Sequence, residues 1–104
     1  MPDIKVTGGV KVKTLKNNIK RAYGCTLRVY SGNSNVFASD DATLASIRIK
    51  GLKSKGEFTV NGNMLVGNFE NKMKEEFGIK VQIASPNNRF LVDNGITLSA
   101  AGRL

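Results

Sequence analysis

Shifted against itself by 54 positions without a gap, the chain places ten residues on identical ones. Val6, Gly8, Val12, Asn17, Lys20, Gly24, Ser31, Asn33, Thr43 and Leu44 fall on Val60, Gly62, Val66, Asn71, Lys74, Gly78, Ser85, Asn87, Thr97 and Leu98. Where identity lapses, apolar character persists: Ile4 falls on Phe58, Val10 on Met64, Leu15 on Phe69, Ile19 on Met73, Tyr23 on Phe77, Leu27 on Val81, Val29 on Ile83 and Phe37 on Leu91. Glycines and turn residues keep step with the apolar ones, so one supersecondary unit is used twice. A chain of 104 residues holds one modest core, because a domain of about 60 residues buries only about 60% of its extended-chain surface. The two copies are therefore expected to share one interior within a single domain, 1–104. Repeat 1 covers about 3–47, a connector 48–56, and repeat 2 about 57–101.

Each copy opens on a stretch that alternates with period two, Ile4 to Thr7 or Glu57 to Val60, and that stops at Gly8 or at Asn61-Gly62. That pattern predicts a short strand with one buried face. Leu15, Ile19 and Tyr23, like Phe69, Met73 and Phe77, recur every four residues and predict one apolar stripe on a helix. Thr14 or Asn68 is the expected N-cap, and Gly24 or Gly78, directly after the stripe, suits a left-handed helix end. Thr26 to Tyr30 and Lys80 to Ile83 alternate again as strands. Polar turns follow at 31–35 and 85–88, then short β-like runs at 36–38 and 90–92. A short helical turn over 40–47 or 94–101 closes each unit, with Asp40 or Asp41 as the expected cap in the first copy.

Two strand-helix-strand-strand repeats sharing one core define an α+β fold. The right-handed crossover rule favours a mixed, mostly antiparallel sheet with helices on one face, each repeat supplying a strand between the other's, which is a ferredoxin-like arrangement. A tandem of β-grasp-like units is the alternative.

The outer faces differ where the inner ones agree. Residues 1–54 hold ten Lys or Arg against three Asp, whereas residues 55–104 hold six Lys or Arg against five Asp or Glu. The net charges are thus +7 and +1, summing to the chain's +8. Lys13, Lys16, Lys20 and Arg21 line one side of the first helix, and the connector adds Arg48, Lys50, Lys53 and Lys55. Such a surface attracts an acidic partner or a polyanion.

Catalytic apparatus is not legible. The chain lacks histidine, the commonest general base near neutral pH. Glu70, Glu75 and Glu76 surround a lysine-bearing helix face, where Glu70 is four residues from Lys74 and so placed for a surface pair. Cys25 is the sole cysteine, and its counterpart Ile79 marks it as a small buried hydrophobe rather than a nucleophile. No phosphate-binding glycine motif and no zinc pattern occur, so no cofactor is expected. No apolar run reaches the length of a membrane span, and the first residues lack a secretory pattern, so a cytoplasmic protein is expected. These features predict a small, basic, non-enzymatic adaptor or regulatory protein that binds another protein. The alternative is a nonspecific DNA- or RNA-binding protein using the first repeat and connector. The runs around Val36 and Phe90 are candidate sheet edges, open to a partner strand or to a homodimer.

Overall fold

A computed structural model describes residues 3–31, 36–47 and 57–104. Its elements follow the repeat: β1 (Ile4–Thr7), α1 (Val12–Tyr23), β2 (Thr26–Val29) and α2 (Leu44–Ile47), then β3 (Glu57–Val60), α3 (Val66–Phe77), β4 (Val81–Ala84) and α4 (Leu98–Ala101). The connector and the first hairpin turn, 32–35, lie outside the described residues.

The helices form where the apolar spacing requires. Val12, Leu15, Ile19 and Tyr23 are the buried face of α1, and Val66, Phe69, Met73 and Phe77 that of α3. Each such side chain contributes about 1.5–3 kcal/mol when fully removed from water. Gly24 (φ 94°) and Gly78 (φ 67°) end the helices in the left-handed region, and their N–H groups donate to Lys20 O and Lys74 O.

The helix starts depart from expectation. Thr14 and Asn68 lie inside the first turn, and the residues before the helices, Lys11 and Leu65, make no side-chain cap. The first donors are met by backbone instead. Val12 and Lys13 donate to Ala42 O and Asp40 O, at 2.8 and 3.0 Å, and Val66 and Gly67 donate to Ile96 O and Asn94 O, at 2.8 and 3.0 Å. The bond is returned in each copy: Leu44 and Ala45 donate to Val10 O and Gly8 O, while Leu98 and Ser99 donate to Met64 O and Gly62 O. Neither Asp40 nor Asp41 caps α2. Thr43 accepts from Ser46 N and Thr97 from Ala100 N, which places the cap at the residue common to both repeats.

The strands assemble differently from a ferredoxin-like sheet. Two separate antiparallel ladders form, β1 with β3 and β2 with β4. Lys5 faces Thr59 in the first and Arg28 faces Gln82 in the second. Both pairs are separated by the repeat length, so a pseudo-two-fold axis passes through each ladder. Two tandem β-grasp-like units would pair strands inside each repeat, but these ladders join one repeat to the other. The reason lies in strand length and polarity. A four-residue strand meets its pairing need with its symmetry mate, and the outward Lys5, Thr59 and Glu57 of the first ladder remain exposed, as they could not be inside a wide covered sheet. Single bridges from Phe37 to Tyr30 and from Leu91 to Ala84 extend the second ladder on both sides.

One hydrophobic cluster takes residues from both repeats, including Val6, Leu15, Ile19, Leu27, Val60, Phe69, Met73 and Ile83. The shared interior expected from the sequence is thus present.

Candidate protein interface

The helix α1 does carry its basic side chains on one side, but the fold engages most of them. Lys13 pairs with Asp41 at 3.0 Å and Lys16 with Asp40 at 3.0 Å. Lys13 holds the exposed Asp41 carboxyl below its ordinary range through its hydrogen bond and charge. Pairs this exposed add little stability, yet they offset the charge that a polyanion would meet. Lys20 Nζ donates to Pro86 O and, at 3.4 Å, to Thr26 Oγ1. Arg21 remains exposed, beside Asp3, Ile4 and Lys5. Arg48, Lys50, Lys53 and Lys55 lie outside the described residues.

Part of the first repeat's positive charge serves the joint between the halves. Lys20 reaches Pro86, and Arg28 donates through Nε to Asn88 Oδ1 at 2.8 Å and through Nη2 to Asn88 O at 3.2 Å. Tyr23 Oη donates to Val60 O at 3.1 Å and Tyr30 Oη to Gln82 Oε1 at 2.7 Å. In each of these contacts repeat 1 donates and repeat 2 accepts. Arg28 is legible in the sequence only as an outward residue of an alternating strand; its place opposite its repeat equivalent Gln82 is given by the pairing of β2 with β4.

The segments that flank the β2–β4 ladder present the more distinctive surface. Val36 is 68% exposed, Phe37 63%, Phe90 54% and Leu91 47%. These are two repeat-related pairs, Val36 with Phe90 and Phe37 with Leu91, on the segments that flank β2 and β4. Symmetric recurrence argues against random scatter of surface apolar groups. Tyr30 and Phe37 stack with centroids 5.0 Å apart and planes inclined by 19°, and Lys80 Nζ lies 5.1 Å from the Tyr30 centroid. Tyr30 is buried at 8% exposure, whereas Phe37 covers it from the solvent side. The expected edges around Val36 and Phe90 are present. Bonds from Ser31 N to Val36 O and from Ala38 N to Val29 O bracket Phe37, and bonds from Ser85 N to Phe90 O and from Val92 N to Ile83 O bracket Leu91. This alternation turns the backbone groups of Phe37 and Leu91 away from the sheet.

Two titratable groups lie under this surface. Cys25 is fully buried, and burial pushes its thiol pKa up, which suits a packed hydrophobe and not an activated nucleophile. Glu70 does not pair with Lys74. Its half-buried carboxylate accepts from Ile83 N at 3.4 Å, on the edge of β4 where Ile83 O accepts from Val92 N. Burial raises the Glu70 pKa, and the Ile83 bond partly opposes that rise. The folded state therefore keeps this proton to a higher pH than the unfolded chain, so stability present below the unfolded value of about 4.3 declines as pH rises through the folded one. Glu70→Gln retains an acceptor for Ile83 and removes the ionisation. Urea denaturation should find it more stable than wild type at pH 7 and equal to it below about pH 4; lower stability at pH 7 would contradict this account.

No helix among the described residues is long and apolar enough to cross a membrane. No family model, curated protein or solved structure matches the chain.

Proposed function

We propose that the protein is a small non-enzymatic adaptor that binds another protein through the segments that flank the β2–β4 ladder. The observation that carries this reading is the repeat-related exposure of Phe37 and Leu91, which their bridges to Tyr30 and Ala84 set on one face of the ladder. Removing a Phe or Leu side chain from water upon binding yields about 1.5–3 kcal/mol, so a few such anchors suffice for a hot spot. Lys80 beside the Tyr30 ring and the exposed Arg89 near Phe90 favour a partner that carries acidic groups next to apolar ones. A cytoplasmic setting agrees with a lone, buried thiol.

Nucleic-acid binding is the second reading, supported by the net charge of +8. It is the weaker one because Lys13, Lys16 and Lys20 already meet Asp41, Asp40 and Pro86. The test uses a partner captured on immobilised wild-type protein and then purified. The double variant F37S/L91S should bind it at least about tenfold more weakly, a loss of about 1.4 kcal/mol, while its circular dichroism and melting stay those of wild type. Undiminished affinity would reject the interface. Tight, steeply salt-dependent binding of single-stranded DNA that K13Q/K16Q/R21Q abolishes would establish the second reading instead.

A further inference from the structure

We propose that the chain has a second assembly state, a reciprocal dimer in which the first repeat of one copy pairs with the second repeat of another. Both ladders join one repeat to the other, and the core cluster takes side chains from both. All the contacts that form the monomer are therefore equally available to two chains that exchange halves.

Pairing of unlike repeats is favoured over pairing of like ones. The axis positions face themselves when two identical repeats meet. Two first repeats would set Arg28 against Arg28 and Lys5 against Lys5, where the structure has Arg28 against Gln82 and Lys5 against Thr59. Like charges directly opposite in a ladder are destabilising. Two second repeats would lose the donors of Tyr23, Arg28 and Tyr30, since Phe77, Gln82 and Ala84 occupy those positions. Only the combination of first with second repeat keeps donors facing acceptors and avoids repulsion on the axis.

Connector length selects between the closed monomer and the dimer. Ala45 of α2 donates to Gly8 O, Gly8 follows Thr7, and Thr7 faces Glu57 at the start of β3. The ends to be joined are thus neighbours, separated by distances on the order of 10 Å. Residues 48–56 extend to about 30 Å, so closure within one chain is unstrained and proceeds at an effective concentration in the millimolar range. The wild-type chain is accordingly a closed monomer at micromolar concentration. Shortening the connector removes that route and leaves the dimer.

Deletion of residues 48–56, which leaves a single Cα step of about 3.8 Å where closure within one chain must span on the order of 10 Å, should give a protein with the wild-type circular dichroism spectrum and twice the monomer mass by light scattering. A folded monomer would overturn the proposal. Should the deletion fail to fold, full-length L15D and F69D decide the matter. Each alone should be unfolded, because it lacks one sound repeat, and an equimolar mixture at about 100 µM, within a few tens of the effective concentration, should recover helical signal as a 1:1 heterodimer. A mixture that stays unfolded, or either variant folding by itself, overturns the proposal.

Discussion

Replacing Phe69 by alanine should lower the free energy of unfolding by about 3–5 kcal/mol, seen as a lower urea midpoint with an unchanged slope. Phe69 is fully buried on α3, and its ring lies 6.2 Å from that of Phe58, which in turn lies 6.4 Å from Phe77. Truncation removes the transfer energy of the ring and leaves a void lined by side chains that relax only in part. A domain of this length has a total stability of about 5–15 kcal/mol, so the loss is a large share of the whole. It will also not stay within the second repeat. Because each ladder takes one strand from each repeat, α3 cannot loosen without weakening both sheets, and one cooperative transition is expected from every probe. Separate midpoints for the two halves, or a cost below about 1 kcal/mol, would contradict the shared core.

Gly102→Ala should destabilise by about 3 kcal/mol, the upper part of the range for overpacking. The backbone of Gly102 is helical at φ −73°, a conformation open to any residue. Space alone forbids a side chain. A Cβ there would lie 1.6 Å from Tyr23 O and 3.1 Å from Gly24 Cα, both backbone atoms that no rotamer change can move. The end of α4 would have to lift from the end of α1. With about 4–8 °C per kcal/mol for a domain of this size, the melting temperature should fall by more than about 12 °C. Gly9→Ala is the control, since nothing lies within 4 Å of its Cβ position; similar losses in both variants would show that contact with Tyr23 is not the cause.

The local structure was legible because each signal was local. Helix stripes at Leu15, Ile19 and Tyr23 and at Phe69, Met73 and Phe77, terminal glycines at 24 and 78, and alternating strands lie within a few residues of what they determine. The caps were not, because carbonyls of Ala42 and Ile96, some thirty residues away, satisfy the helix donors in place of nearby side chains. Sheet order escaped for the same reason: alternation at Ile4 and Val6 states which side is buried and leaves open which strand lies alongside. The basic stripe was legible as charge but not as function, since nothing near Lys16 or Lys20 in sequence announces Asp40 or Pro86 as a partner. Exposure of Phe37 and Leu91 escaped because two apolar residues at matched positions suggest packing, whichever side they face.

The ladders also govern how the chain can acquire its structure during synthesis. Ile4 meets Val60 and Thr26 meets Ala84, so neither ladder can begin until the second repeat has followed the first out of the ribosome. Until then β1 has no mate and β2 has only the run at 36–38 beside it, a window in which a chaperone or a neighbouring nascent chain competes for the open edges. Closing loops of this size is slow relative to forming helices, so α1 and α3 can form well before either ladder is in register.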